Sequence, residues 1–577
     1  MELGVAEDKP KDIHTNPNPG GWKTFPFLTG SMVTMSIAAY GLPANLIVYL
    51  IQQFNIKSIA ATQITNVVNG FTNLLPIAGA IISDSFLGSF PTIAISNSIT
   101  MLGMILMTLT ATIPSLRPHP CSTNSSQACP GPSGGQLAVL YSAFALAGIG
   151  VAGTRFNMVT MGASQFDTPA DRESFINWYF CSIYMAFVIA VTGIVYVQDN
   201  VGWGWGYGIC ALLNAISILV FLAGRKKYRM IEPEGSPFTG LARVLVAAVR
   251  KNGMRLRGKV DSGDYYYGCK EGRGGAEDGS VEMMQALPPP PSKRFSFLNR
   301  AALKVQGDMH PSGSVAKPWK LCTVKHVEDL KTILSIAPLW SASFLLSTSI
   351  GVQASLSVLQ ALAMDRHLVS HFAIPAGSFS VFTLLSSAMS LILLDRLIYP
   401  FCMAHLRTPT LLQRLGIGHC LNCTGMVASA LVEARRRAVL KSHGLISIPA
   451  NAAAPMSALW LVLPLALVGL GEAFHLPGQV GLYYQDFPMA LKNTATAAVA
   501  AVIGLGFYLS TAVVDLVQRS TNWLPNNINA GRLDNVYWMM SVVTLLNFGY
   551  FLICAGLYGN QSKDGIDESV IKEESNK

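Results

Sequence analysis

A few ionisable side chains lie inside long apolar stretches of this 577-residue chain, and they are the first candidates for chemistry. Glu472 lies near the middle of one stretch, and His475 follows one helical turn later, so both would share a helix face. Such a pair could bind a proton at mildly acidic pH. Alternatively, Glu472 pairs with Arg155 or with Lys331 and stabilises the packing between two parts of the molecule.

Arg155 lies in a second apolar stretch. A guanidinium at membrane depth costs about 2.5–3.5 kcal/mol on insertion scales, unless it faces a wet cavity, a carboxylate or an anion. Its planar fork of donors suits a planar oxyanion. Two interpretations are open: Arg155 contacts an anion in a cavity, or it snorkels to the interface at the end of its helix.

Twelve apolar stretches must position these residues. The chain is 51% hydrophobic and only 13% charged, well below the roughly 25% charged residues of soluble domains. A helix of about 20 residues covers the roughly 30 Å hydrocarbon core, and the stretches are too long for barrel strands. We place the spans near residues 27–51, 66–83, 90–113, 137–159, 174–197, 205–224, 332–353, 374–394, 414–432, 457–484, 494–514 and 536–557.

The distribution of basic residues predicts the topology, because cytoplasmic loops are enriched in Lys and Arg. The polar segment 1–21 lacks the features of a secretory signal peptide. The connection after the sixth span is basic, so we expect it and both termini in the cytoplasm; its basic residues are Arg225, Lys226, Lys227, Arg243, Arg250, Lys251, Arg255, Arg257 and Lys259. One cluster disagrees, because Arg435, Arg436 and Arg437 would lie outside, after the ninth span.

The loop after the third span would then face the oxidising side. It contains Cys121 and Cys129, with a glycosylation sequon at Asn124 between them. A disulfide-closed, glycosylated loop suits that side. The alternative is two free thiols and an unused sequon.

Six spans on either side of a long hydrophilic connection indicate two helix bundles that rock about a central site. The predicted fold class is therefore an all-α membrane protein with the major facilitator fold. We divide the chain into a cytoplasmic tail (1–26), an N-terminal bundle (27–224), a cytoplasmic linker (225–331), a C-terminal bundle (332–557) and a second tail (558–577).

The linker has two parts of different composition. Residues 239–251 alternate apolar and basic side chains at helical spacing, which favours an amphipathic helix on the anionic inner leaflet. Residues 265–291 are Gly-rich and end in four prolines, which favours a disordered spacer or a docking site for a regulatory partner.

The connection between the second and third spans carries glycines and an acid at fixed spacing, at Gly79, Asp84 and Gly88. In the major facilitator fold this loop makes a tight turn, and its acid forms part of a gate. The alternative is an ordinary turn capped by Asp84.

Short motifs spread over nearly the whole chain resemble the plant nitrate and peptide transporter family, related to the proton-dependent oligopeptide transporters. They are residues 165–167, 177–180, 198–206, 319–324, 338–340, 364–366, 395–396, 413–418 and 471–474. The resemblance implies a carrier with a central cavity that contains Glu472. Tyr40, Tyr179 and Trp340 belong to the matching positions, and we add them to Arg155, Glu472 and Lys331 as substrate-binding candidates.

The chain departs from the family in the first span. Family members carry two glutamates and a basic residue there, shortly before a Tyr-Gly pair, and the glutamates are implicated in proton coupling. Counting back from Tyr40, these positions are Met32, Met35 and Ser36. The family's lysine in the fourth span corresponds to Arg155, which has therefore lost its acidic partners.

Segments 20–27 and 55–61 resemble the nitrate excretion transporter subgroup, which also departs from the first-span motif. This resemblance implies a plasma-membrane carrier of nitrate, or of chloride, that works in the efflux direction with little or no proton coupling. One alternative is a carrier of an organic solute such as a peptide, glycoside or alkaloid. Another is a nutrient receptor that signals through the linker. We expect no enzymatic activity, metal, cofactor or nucleic-acid partner, because no matching constellation of residues is present.

Overall fold

The structure is a computed structural model in which residues 20–120, 130–230, 237–252, 264–268, 291–292, 294–305, 307–310, 315–317, 319–369, 372–405, 409–445, 453–486 and 492–575 are described. In these ranges twelve helices are long and apolar enough to cross a membrane. They coincide with the twelve predicted spans, so the prediction of a polytopic helical membrane protein is confirmed.

The N-terminal half contains nine helices within the described ranges. They are α1 (Phe25–Ala44), α2 (Leu46–Phe54), α3 (Ser58–Leu74), α4 (Pro76–Ile82), α5 (Ser89–Thr112), α6 (Gly134–Ala163), α7 (Pro169–Ile189), α8 (Val195–Asn200) and α9 (Trp203–Ala223). Pro76 separates α3 from α4, because proline lacks the backbone N–H that would continue the hydrogen-bond ladder. A π-helical turn at Ala190–Ile194 joins α7 to α8 within one span.

In the remaining described ranges the helices are α10 (Pro237–Arg250), α11 (Ser296–Asn299), α12 (Val324–Leu362), α13 (Ser380–Leu393), α14 (Tyr399–His405), α15 (Leu411–Ser442), α16 (Val462–Asp486), α17 (Lys492–Ser520) and α18 (Leu533–Ser575). Four short strands lie between the spans: β1 (Met364–Asp365) pairs in parallel with β4 (Ala454–Ser457), and β2 (His367–Val369) pairs antiparallel with β3 (Phe372–Ala373). We call the membrane side that carries the linker the linker side, and the other the opposite side.

The arginine cluster that disagreed with the topology rule lies inside a helix and not in a loop after the ninth span. Helix α15 is 32 residues long and continues to Ser442. Arg436 is fully buried and donates two hydrogen bonds to Glu433, at 2.7 and 2.8 Å. Arg437 pairs with Asp534 at 3.0 Å, and Arg435 lies over the ring of Trp460. Tertiary contacts therefore decide where these arginines lie.

The linker packs as a small body against the first turns of α12. The buried face of α10, formed by Val244, Ala247 and Ala248, contacts apolar residues that follow it in the chain: Leu298, Ala301, Ala302, Cys322, Val324, Val327 and Leu330. This face was expected on the inner leaflet, but the protein itself covers it. Lys251 anchors the end of α10 by pairing with Asp308 at 3.1 Å. Burial lowers the pKa of the Lys251 ammonium, and the Asp308 carboxylate offsets part of that effect.

The described start of the segment predicted to be a disordered spacer belongs to the same body. The Tyr266 backbone N–H donates to Ala302, and the Val324 N–H donates to Tyr266. These bonds pin residues 264–268 between the linker and α12, whereas residues 269–290 lie outside the described part.

Small residues allow close helix packing within and between the two bundles. A Cβ at Gly103 in α5 would lie 2.4 Å from the backbone of Ala147 in α6, and one at Gly418 in α15 would lie 2.7 Å from His475 in α16. The bundles themselves meet at α3 and α17, where a Cβ at Gly504 would lie 2.9 Å from the carbonyl of Gly70. Such close contacts suit a lipid environment, because dispersion forces and not water exclusion hold the helices together there.

Candidate substrate site between the two bundles

Arg155 lies in the interior of the protein, on α6, and keeps a partly accessible side chain. Its guanidinium donates to the amide oxygen of Asn73 at 3.0 Å. Tyr40, Tyr179 and Tyr184 lie within electrostatic range of the same guanidinium. Among the described residues no carboxylate lies within ion-pair distance of Arg155. The cation is therefore surrounded by neutral groups. This geometry favours the interpretation in which Arg155 faces a cavity over the one in which it snorkels to the membrane interface.

Glu472 approaches the same region from α16, in the other bundle. Tyr40 and Tyr184 each lie within electrostatic range of both Arg155 and Glu472. All four side chains are partly accessible although they belong to the middle of the protein. We call the space that they line, together with Asn73, the central cavity.

Tyr40 and Tyr184 line this cavity with aromatic rings. Tyr40 stacks on Phe187 with ring centroids 4.3 Å apart and an interplanar angle of 24°. Tyr179, which also lies within electrostatic range of Arg155, is almost fully buried. It contacts Phe175, with ring centroids 5.7 Å apart. Stacked rings of this kind hold polar hydroxyl groups in fixed positions beside a charged group.

The vacated motif positions of the first span are filled by packing. Met32 is 1% exposed and belongs to an apolar cluster with Met158, Phe175 and Tyr179. Met35 is also buried, and the Ser36 hydroxyl donates to the sulfur of Met32 at 3.5 Å. These side chains leave Arg155 without the charge compensation that the family's glutamates would supply.

His475 faces a second histidine and not the cavity acid. Its ring lies 5.3 Å from that of His419 in α15, which in turn stacks on Phe551 at 4.6 Å. Both His419 nitrogens and Nε2 of His475 are buried without a hydrogen-bond partner in the described part of the chain. Within that part no hydrogen bond joins His475 to Glu472, so the proposed proton-binding pair is not assembled here.

Lys331 is held by contacts away from the cavity. Its ammonium donates to Glu328 at 2.7 Å and to the backbone oxygen of Ser292 at 2.7 Å. It therefore ties the linker to the first turns of α12, and the described residues contain no ion pair between Lys331 and Glu472. Trp340, another predicted contact, packs on Tyr483 inside the C-terminal bundle, with ring centroids 6.0 Å apart.

The remaining predicted sites are placed only in part. A Cβ at Gly79 would lie 2.7 Å from the backbone of Ala152, so this glycine lets α4 pack against α6. Gly88 has a φ of 77° and precedes α5, in a conformation that favours glycine. The backbone of Asp84 lies in a π-helical turn, but its side chain lies outside the described part. Cys121, Cys129 and Asn124 lie outside it as well.

Polar contacts join the two bundles on the opposite side. Ser378 donates to the carbonyl of Val191 at 2.6 Å, and Arg366 lies 3.8 Å from Asp199. Nearer the middle, Asn66 donates to Ser355 at 3.4 Å. These contacts hold the two bundles together on the opposite side of the cavity residues.

Two residues of the central cavity, Asn73 and Tyr184, were not among the predicted site residues. The sequence does contain a pattern that indicates Asn73: Asn66, Asn69 and Asn73 recur at intervals of three and four, which places amides on one face of α3. Tyr184 offers no comparable signal, since an isolated tyrosine in a span is usually a packing residue.

Twelve helices of membrane-spanning length, with Arg155 and Glu472 lining one interior space from different bundles, are typical of a membrane transporter. A family model described as the POT family matches residues 90–532. The protein NRT1/PTR FAMILY 2.7 of Arabidopsis thaliana is 47% identical over 552 residues, which covers 95% of this chain and 94% of that protein. NRT1/PTR FAMILY 2.5 of the same plant is 46% identical, with 96% and 97% coverage. The chain belongs to the POT family.

The fold agrees with this assignment. The crystal structure of the POT family transporter PepTSo superposes with a TM-score of 0.67, covering 93% of this chain and 99% of that chain. The sequence identity is 17%, so this likeness shows the fold alone. The predicted family resemblance and the major facilitator fold are confirmed, whereas membership of the nitrate excretion subgroup stays a prediction.

Proposed function

We propose that this protein is a facilitated transporter of nitrate or a similar small anion, in which Arg155 contacts the anion. One observation carries the proposal: the Arg155 guanidinium lies in the central cavity with the neutral Asn73 amide and tyrosines around it, and with no ion-paired carboxylate among the described residues. A desolvated cation without a counter-ion gains the most when a small anion enters.

The family's proton-coupling positions support the same conclusion. Proton-coupled anion uptake needs a titratable group beside the substrate, and Met32, Met35 and Ser36 offer none, so the first span supplies no proton site and Glu472 is the acid that remains in the cavity. Anion export needs no proton: moving one negative charge out of a cell that is negative inside gains about 2.3 kcal/mol per 100 mV. This corresponds to roughly fiftyfold in concentration. The direction that we propose is therefore efflux.

The proposed location is the plasma membrane, with the linker side in the cytoplasm. Three consecutive basic residues, Arg225, Lys226 and Lys227, are exposed at the end of α9 on the linker side. Basic residues next to a span favour the cytoplasmic side. In this orientation an opening of the cavity on the linker side would exchange substrate with the cytoplasm.

The test is voltage-driven nitrate flux in proteoliposomes that contain the full-length protein and no pH gradient. We expect Arg155→Ala to lose flux by about a hundredfold, because a charge-assisted contact worth about 3 kcal/mol is removed. Arg519→Ala is the matched control, since it removes an exposed arginine far from the cavity. Equal flux in the wild type and in Arg155→Ala would contradict the binding role.

A second candidate substrate is a zwitterionic organic solute such as a peptide. Among the described residues the cavity is lined by one cation and one acid, which belong to opposite bundles, and a solute that carries both charges would bridge Arg155 and Glu472. Glu472→Gln separates the two functions. If the substrate is an anion, removing the negative charge of Glu472 should improve the affinity for the substrate by about threefold, which corresponds to less than 1 kcal/mol. If the substrate is a zwitterion, the same variant loses transport.

A further inference from the structure

We propose that Asn73 is a positioning residue that holds Arg155 toward the central cavity while leaving its charge uncompensated. This inference rests on the proposed anion-transport function and deepens it. In other family members the glutamates of the first span would hold this cation. Here we assign that role to a neutral amide on a different helix, α3.

The orientation of the Asn73 amide is determined by its two partners. Its nitrogen donates to the backbone oxygen of Asn69 at 2.9 Å, and its oxygen accepts from Arg155 at 3.0 Å. A guanidinium only donates and a backbone carbonyl only accepts, so the reverse orientation would lose both hydrogen bonds. The amide oxygen is thus directed at Arg155 by its own helix.

The position of Asn73 is also determined by the backbone around it. Asn73 lies at the end of α3, immediately before the break at Pro76. A Cβ at Gly504 in α17 would lie 3.0 Å from the Leu74 nitrogen and 3.3 Å from the Asn73 carbonyl carbon. The end of α3 is therefore confined between α17 on one side and Arg155 on the other.

Neutrality is the chemical property that matters at this position. A carboxylate in place of the amide would form an ion pair with Arg155 and compete with a bound anion. An apolar side chain would remove the acceptor and let the guanidinium reorient. An amide supplies one acceptor for one arm of the guanidinium, and it leaves the other donors and the full charge for the substrate.

The experiment compares three variants of the full-length protein in proteoliposomes, with an imposed voltage and nitrate as the probe. Asn73→Asp adds one charge with almost no change of shape, and we expect its KM for nitrate to rise by at least about tenfold. Asn73→Leu keeps the size but removes the acceptor, and we expect KM to rise by about threefold to tenfold with Vmax unchanged. Asn69→Asp makes the same charge change one turn away on the same face of α3 and is the matched control; because its carboxylate would lie farther from Arg155, we expect a clearly smaller rise of KM than in Asn73→Asp.

A nitrate-dependent shift in melting temperature, measured in detergent, reports binding without turnover. We expect this shift to disappear in Asn73→Asp and to persist in Asn69→Asp. If the wild type transports nitrate but KM is unchanged in Asn73→Asp or in Asn73→Leu, the role of Asn73 is overturned and the proposed transport function is not. Equal losses in Asn73→Asp and Asn69→Asp would also overturn the role of Asn73. A wild type that carries no nitrate, chloride or other small anion would overturn the proposed function, and the inference with it.

Discussion

Two arginines in the interior of the same protein have opposite surroundings. Arg436 in α15 is fully enclosed and donates to Glu433 and Asn529, and Glu433 in turn accepts from Gln360 at 2.7 Å. Arg155 in α6 has an amide partner and a partly accessible side chain. The first charge is neutralised within the protein, and the second is not.

The difference teaches how to separate structural from functional charges in a membrane protein. A buried charge must be compensated, and the compensation comes from the protein or from a ligand. Glu433 supplies it to Arg436, and a further hydrogen bond from Tyr537 to Gln360, at 2.9 Å, extends the network. Arg155 lacks an equivalent acid in the described residues, so we assign its compensation to the transported solute.

The largest expected effect follows from breaking the structural pair. Glu433→Gln leaves Arg436 buried without its counter-charge, which should destabilise the protein by about 3–5 kcal/mol. We expect a lower melting temperature in detergent and a loss of monodisperse protein. Arg437→Ala is the control, because its pair with Asp534 is partly exposed. A Glu433→Gln protein as stable as the wild type would remove the distinction between the two arginines.

A smaller effect is expected from giving Arg155 the compensation that Arg436 already has. Restoring the family pattern with Met32→Glu, Met35→Glu and Ser36→Arg should reduce nitrate flux tenfold to a hundredfold, on the order of what a nearby opposite charge contributes. The reduction should be weaker at acidic pH, since protonated glutamates no longer compete with the anion. Flux is compared in proteoliposomes at two pH values.

The control for this triple variant carries Gln at both methionine positions together with Ser36→Arg. It places polar groups of the same size in the apolar cluster around Met32 without adding negative charge. If both variants lose flux equally, packing and not charge explains the loss.

The smallest expected effect separates the charge of Arg155 from its hydrogen-bonding geometry. Arg155→Lys keeps the charge but replaces the planar fork with a single ammonium. We expect KM for nitrate to rise by about threefold to tenfold, because one of two parallel hydrogen bonds is lost. KM for chloride, which is spherical, should change less. An equal change for both anions would show that Arg155 acts by charge alone.

The twelve spans were predictable because each depends on local composition. About 20 apolar residues identify a membrane helix whatever its neighbours are. The ends were less accurate: the second span begins at Ser58 and not near residue 66, and α15 extends ten residues beyond the predicted end of the ninth span. Polar residues interrupt the first extension, and charged residues held by ion pairs dominate the second. Hydropathy alone cannot separate such helix ends from loops.

The candidate site was predictable only in its charged members. Arg155 and Glu472 are conspicuous in apolar surroundings, and the structure brings both to the central cavity. Lys331 has the same charge and lies close to a span end, but its partners are Glu328, one turn earlier on α12, and Ser292, 39 residues earlier in the linker. The spacing to Glu328 is visible in the sequence, whereas the contact with Ser292 depends on how the linker folds back onto α12.

The amino-acid sequence by itself determined that this chain crosses a membrane twelve times, that it resembles a family of carriers, and that two expected acids are missing from the first span. These properties follow from hydropathy and from residue identity, which need no knowledge of the fold. Only the tertiary structure decided which arginine is neutralised by Glu433 and which has Asn73 beside it. Charge compensation depends on distances between groups on different helices, and packing alone sets those distances.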